Sequence, residues 1–414
     1  MDLPRQTVTT RMVHRRAKTE APWWHSAVIC DFPGAFSNQD LKRTARLLPS
    51  IADLGFDAVL IRPASPRVDV GAKFLPTFVK KAHDQGLKVI VRAFLAEDES
   101  DLGPESSPPQ LTLEHDVSEL HRRAQAILAT DADGVDLGLV DDEAGSPDSA
   151  ADARAFTEAI QGQLAEVELA GDTTILAAAI PSYPREAALH HLTEEWFHHL
   201  RDDSLVAAPW DAHEIKQRVK LTYADRDPLG HTAAWRYSLP KWTDSPYVRN
   251  SADYGWAKGS KSDQREMAMM LYAASLPGSV YVPFLHVGGA VTVKDRGKPG
   301  LKLSLEKGRK AKDQAILTKE ALLVRRRHRL GDSTLAFLDG PGYCDANTAV
   351  HLSGDVLVVL NTGKTDVVIP AENRPLVMSG DLRITPDGDT AVRPNSCAWF
   401  LPPTPEPVGP VAYR

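Results

Sequence analysis

Asp133-Gly134-Val135-Asp136-Leu137-Gly138-Leu139-Val140-Asp141 is the stretch on which the fold turns. From Gly134 to Val140 it is short, mostly apolar and close to continuous, as strands covered on both faces read. Seven further runs share that character: Ala27–Phe32, Ala58–Ile61, Lys88–Phe94, Thr174–Ile180, Ser204–Ala208, Ala233–Leu239 and Ser279–Leu285. Amphipathic stretches separate many of them. Leu41–Leu54 ends at Gly55, a suitable left-handed cap, and Phe74–Gln85 stops at Gly86. Asp116–Ala129 opens on Asp116 and Ser118, either able to cap, and Gln264–Leu276 runs into Pro277-Gly278. Eight buried strands with helical crossovers predict a (β/α)8 TIM barrel, an α/β fold.

Outward from the barrel the pattern changes. After about residue 332 short alternating runs follow, Thr334–Leu338, Ala349–Leu352, Val356–Asn361, Asp366–Ile369 and Ala398–Leu401, broken by Gly, Asn and Pro. They predict a C-terminal antiparallel β-sandwich, joined to the barrel by a helix over Asp313–Arg327. The expected organisation is an arm over 1–22, a barrel over 23–331 and a sandwich over 332–414. Ala96–Gln110, rich in Asp, Glu, Ser and Pro, is expected as a loop, and Asp295–Lys312 as a solvated Lys/Gly-rich one.

Composition narrows the function classes. The 414 residues are 43% hydrophobic and 25% charged, ordinary for a globular chain. A net charge of −7 argues against nucleic acid as principal partner. No apolar run approaches the roughly 18 residues that cross a bilayer, and Met1 to Glu20 has no apolar core of a signal peptide. Cys30, Cys344 and Cys397 are too scattered for a disulfide framework or a CxxC site; Cys30 reads as a buried small hydrophobe. The expectation is a cytoplasmic protein without metal or cofactor.

Several short motifs then resemble one family. Trp23-Trp24-His25-Ser26-Ala27-Val28-Ile29 is similar to the first strand of α-glucosidases and trehalose synthases of the α-amylase family of glycoside hydrolases. Leu54-Gly55-Phe56-Asp57-Ala58-Val59 resembles its second strand, Ala82-His83-Asp84-Gln85-Gly86-Leu87-Lys88-Val89-Ile90-Val91 its third, and Leu276-Pro277-Gly278-Ser279-Val280-Tyr281 the approach to its eighth. The resemblance runs from Trp23 to about Leu401 and implies the same barrel and sandwich, with the subdomain after strand three shortened to Ala96–Gln110.

The departures fall on the chemistry that the resemblance implies. The third strand, D-x-x-x-N-H in active members, has Arg92 at the aspartate. In the fourth, G-[FV]-R-x-D, Asp141 is read at the nucleophile position with Leu139 in place of the arginine. The fifth should end in Gly-Glu, the general acid, yet Thr174 to Pro181 holds no acid. The seventh should end N-H-D, and Pro240-Lys241 stand there. Retaining hydrolysis needs two carboxyl groups about 5–5.5 Å apart, and general acid catalysis contributes roughly 10²–10⁴-fold. One acid in three survives this reading.

The expectation is therefore a protein of carbohydrate metabolism without normal glycosidase activity, acting as partner, regulator or sugar-binding protein. The alternative is an active α-glucosidase or trehalose synthase-like enzyme using Asp141 and a relocated acid such as Glu143 or Asp211. Asp141 is a vestigial nucleophile or, with Asp142, a loop or helix cap. Arg92 is expected to pair with Asp141 across the mouth. Candidate substrate-binding residues are Asp31, Arg62, Arg92, Trp210, Asp211, Trp242 and His286, with Lys241 beside them; packing and surface pairing are the plainer alternative for each. His190-His191 and His198-His199 read as a solvated helix rather than metal ligands. Arg325-Arg326-Arg327-His328-Arg329 reads as structural rather than a nucleic-acid patch. Expected partners are an active paralogous glucosidase or a second copy, with an α-glucoside as ligand and no membrane.

Overall fold

The computed structural model describes residues 9–15, 21–64, 68–93, 117–139, 150–171, 173–180, 185–202, 204–238, 255–257, 262–293, 301–305 and 308–403. Strand β1 (Thr9–His14) precedes eight parallel strands: β2 (Val28–Asp31), β3 (Ala58–Ile61), β4 (Lys88–Arg92), β5 (Gly134–Leu139), β6 (Ile175–Ile180), β7 (His199–Asp202), β8 (Ala234–Arg236) and β9 (Ser279–Pro283). Each pairs with the next, and β9 returns to β2. The barrel is closed.

Side chains alternate along each strand, so one set points outward to the helices and the other inward. Val28, Cys30, Val59, Ile61, Val89 and Val91 belong to the outer core, with helix residues such as Phe78 and Met269. Ile29, Ala58, Leu60, Ile90, Ile175, Ala177, Ala234 and Tyr281 form the inner one, closed at its base by Trp24.

The sixth strand corrects the sequence reading. Ser204–Ala208 was the apolar choice, but β7 is His199–Asp202, expected as part of a solvated helix. The helix is Arg185–Thr193 and ends before His198. The strand was hidden because its inward residues are polar: His199 and Arg201 are 0% and 1% exposed. Other differences are local. Leu41–Leu54 divides into helices Asn38–Thr44 and Leu48–Leu54, because Pro49 fits a helix start better than an interior. Gly55 does cap the second, at φ +100°. Part of the supposed loop Asp295–Lys312 is strand: β11 (Leu301–Leu305) pairs antiparallel with β10 (Gly289–Val293). Its Leu-Lys-Leu-Ser-Leu alternation is a period-two pattern. The segment Ala96–Gln110 lies outside the described residues.

Beyond helix Arg309–Arg327 stand β12 (Leu335–Asp339), β13 (Thr348–Ser353), β14 (Val356–Asn361), β15 (Val367–Ile369), β16 (Arg374–Met378), β17 (Arg383–Ile384), β18 (Thr390–Val392) and β19 (Ser396–Leu401). One sheet has the order β1-β12-β13-β14-β19-β16 and the other β15-β18-β17. Alternation on β14 shows both contacts: Leu357 and Val359 pack with Ile369 and Val392 of the small sheet. Val356, Val358 and Leu360 join the barrel-side core. β16 escaped the sequence reading because of Pro375, which an edge strand tolerates. Within the stretch expected as an arm, the described residues include a strand. β1 lies along β12, with Arg11 opposite Phe337, because the edge of β12 offers backbone groups that an extended Thr/Val-containing segment satisfies.

Candidate functional site at the barrel mouth

The C-terminal ends of the strands bring ionisable side chains together where a barrel enzyme keeps its chemistry. Inward residues of the upper layer include Asp31 on β2, Arg92 on β4, Asp136 on β5, Arg201 on β7 and Arg236 on β8. Register places Arg92 opposite Asp136 and Ala179 opposite Arg201. Between β5 and β7, β6 offers Ala177 and Ala179, so nothing larger than a methyl group stands between Asp136 and Arg201. The arginine fills that space. Its Nη2 donates to Asp136 at 2.9 Å from Oδ1 and lies 2.8 Å from Oδ2.

Asp136 is fully buried and its lone pairs are engaged. Arg92 Nη2 approaches Oδ2 at 3.4 Å, and the Gly138 backbone N–H donates to Oδ1 at 2.7 Å. Gly138 has φ +77°, a conformation that glycine adopts without strain, and β5 shifts register against β6 there. Burial alone would push the Asp136 carboxyl up, but Arg201, Arg92 and the Gly138 N–H together pull it down to about 2. Asp31 goes the other way. Burial raises it, against the three arginines Arg92, Arg201 and Arg236, with Asp136 adding to the rise.

Beneath this layer Arg201 also lies over an aromatic ring, its Cζ 4.8 Å from the Tyr281 centroid. Tyr281 in turn meets His199. The Trp24 carbonyl, 2.7 Å from His199 Nε2, can only accept, so Nε2 carries the proton. Nδ1 then accepts from the Tyr281 hydroxyl at 2.7 Å. Burial lowers His199 to about 3, against the raising effect of the Trp24 carbonyl, so the ring is neutral at pH 7.

His286, expected at the mouth, is built into a second relay. Tyr237 donates to its Nδ1 at 2.9 Å, and its Nε2 lies 3.4 Å from Glu266 Oε2. Burial takes His286 to about 3 as well, while the Tyr237 hydroxyl is buried and pushed well above its usual range. Asp211 is the N-cap of helix Ala212–Arg226, accepting from the Glu214 backbone N–H at 3.0 Å. Trp210 lies next to it, its ring 5.2 Å from the Arg265 guanidinium carbon. Arg62 follows β3, and its carbonyl accepts from the Phe36 N–H at 2.8 Å. Asp141, Glu143, Lys241 and Trp242 lie outside the described residues, so the expected Arg92–Asp141 pair does too. Among the described residues Arg92 approaches Asp136 on β5.

Arg201, Asp136 and His199 escaped the sequence reading. One signal was available: alternate polar residues at 199 and 201 beside a run of alanines at 177–179. The basic run 325–329 is also resolved. Arg325 is buried and donates through Nη1 to the carbonyls of Ala274 and Leu276 at 2.7 and 2.8 Å, tying helix Arg309–Arg327 to the approach of β9. Among the described residues no group of three or more His, Cys, Asp or Glu is placed to hold a metal ion, and no helix is long and apolar enough to cross a membrane.

No protein-family model matches the chain, and no curated sequence matches it. Solved structures do. An α-amylase from H. orenii has a TM-score of 0.64 at 13% identity, over 91% of this chain and 99% of that one. Eubacterium rectale Amy13B gives 0.60 at 12%, over 95% and 97%. A variant of the trehalulose synthase MutB gives 0.57 at 12%, over 92% and 100%. The fold is the closed barrel with antiparallel C-terminal sheets of α-amylase-type enzymes.

Proposed function

We propose that this chain is an α-amylase-type barrel of carbohydrate metabolism that does not hydrolyse glycosides by the family mechanism. It acts as a partner or regulator of an active glucosidase, or as a sugar-binding protein. The observation that carries the reading is the Asp136 carboxylate, sealed under Arg201 and Arg92 in the layer where an enzyme of this shape needs accessible acids.

A nucleophile must reach an anomeric carbon, and a proton donor must stand opposite it. Asp136 is buried, and both its oxygens are bound to arginine. β6, from which the acid should project, presents alanine. Asp31 is buried with its pKa raised, yet only 3% of it is exposed. A guanidinium–carboxylate network of this kind fixes neighbouring strands in place.

The test is incubation with maltose, trehalose, sucrose and p-nitrophenyl α-glucoside, beside Asp141→Asn. The expected result is product formation indistinguishable between the two proteins and from the buffer rate. Turnover by the native chain that vanishes in Asp141→Asn would establish an active enzyme instead. For the partner reading, co-purification with an α-glucosidase from the source is the matching assay; recovery of the chain alone would count against it.

A further inference from the structure

The opposite pole of the barrel holds a cavity of about 610 Å³, within the range of roughly 300–1,000 Å³ typical of small-molecule sites. Residues of β1 wall one side, the turn 228–233 another, and the loop 329–332 a third, with His25 among them. The N-terminal face of such a barrel ordinarily contributes stability rather than catalysis. A cavity there, with both apolar and polar walls, therefore suits a ligand that is bound and not transformed.

Three features of the lining point to a ligand. His25 is half-buried, and among the described residues its imidazole makes no hydrogen bond; it has an edge contact with Trp24 at 6.1 Å between centroids and lies within electrostatic reach of Asp332 and His231. Arg329 is held at φ 52° and ψ 41°, left-handed for a residue with a β-carbon, at the cavity rim. The position directly follows His328, the C-cap of helix Arg309–Arg327, so the turn that ends the helix sets Arg329 against the cavity. The third feature is charge balance. The lining carries two arginines, Arg15 and Arg329, and two aspartates, Asp227 and Asp332, which balance in charge. Asp227 is already bound by His14 Nδ1 at 2.8 and 3.0 Å, and Asp332 lies 3.8 Å from Arg329. His231 uses Nε2 on the Leu192 carbonyl at 2.7 Å, which leaves Nδ1 as an acceptor.

We propose that this cavity binds a neutral, hydroxyl-rich small molecule, a cyclic polyol or small sugar. Hydroxyl groups both donate and accept, and they match a lining that carries imidazole, guanidinium and carboxylate groups. Val13 and Pro228 supply apolar surface for the C–H face of such a ring. A strongly charged ligand would find no excess of opposite charge. The site goes beyond the mouth, and its existence does not depend on whether the mouth is silent.

The experiment is calorimetric titration of the full chain with trehalose, maltose and myo-inositol, and with inorganic phosphate as the charged comparison. At least one neutral probe is expected to bind saturably, one per chain. His25→Ala and Arg329→Gly should each weaken it about tenfold or more, a loss of ~1.4 kcal/mol. Arg329→Gly suits a left-handed position, so its thermal midpoint should hold while binding falls. It keeps the test intact if His25→Ala fails to fold. Absence of saturable binding by all three neutral probes would overturn the proposal. So would native affinity in Arg329→Gly, or tighter binding of phosphate than of any polyol. Glycoside turnover in the earlier assay would leave this result untouched.

Discussion

The two ends of this barrel use the same residue types in opposite ways. At the mouth, aspartate and arginine are sealed against each other beneath the surface, and Asp136 keeps no exposed atom for a ligand. At the base, Asp227, Asp332, Arg329 and three histidines line an open cavity, and among the described residues the His25 imidazole makes no hydrogen bond. The difference teaches that polar clusters are to be judged by what remains unengaged. A dense ion-pair network marks structure, whereas a looser one leaves groups for a ligand.

Breaking the mouth network should have the largest effect. Arg201→Met leaves a buried carboxylate without its principal partner, a change that costs about 3–5 kcal/mol. Adding Asp136→Leu removes the stranded charge and should recover most of that stability in urea unfolding. A single variant within about 1 kcal/mol of the native chain would show that the pair is incidental.

Acid should weaken the fold next. His199, His286 and His351 are each lowered by burial to about 3 from 6.5. The unfolded chain therefore takes up protons first as pH falls. Their neutral forms support the fold fully above pH 6.5, and that support is lost progressively toward pH 3. At pH 5 the loss is at most about 2 kcal/mol for each ring. Asp136, lowered to about 2 from 3.8, supports the fold above 3.8 and loses that support only between those values. Asp31, raised, moves the opposite way and favours the fold as pH falls through its pKa. Equal unfolding midpoints at pH 7 and pH 5 would contradict this order.

The smallest effect belongs to the base. His14 and Asp227 are partly exposed, so His14→Ala should cost about 1 kcal/mol or less. Its trace should appear locally, as faster amide exchange in β1 with the barrel strands unchanged. Exchange that quickens in β7 as well would mean that the two poles are coupled.

Much of this architecture was legible in the chain. Strands such as Ala58–Ile61 and Val356–Asn361 announce themselves because both faces of each are apolar. Gly55 marks a helix end because its positive φ is costly for other residues. β7 was not legible, since a strand whose inward side chains are His199 and Arg201 reads like a polar helix until its neighbours are known. The site suffered the same limit. Asp136 and Arg201 lie far apart in the chain, and only the alanines of β6 let them touch. Arg92 could be placed at the mouth from sequence, but its partner on β5 could not.

Carboxyl titration by NMR, with the aspartate side-chain carbons labelled, addresses the mouth most directly. We expect Asp136 to stay ionised down to about pH 2, and to move toward the ordinary range in Arg201→Met protein that remains folded. A native Asp136 that titrates at its usual value, near 3.8, would mean that its carboxylate is not committed to the arginines, and the case for a silent mouth would fall with it.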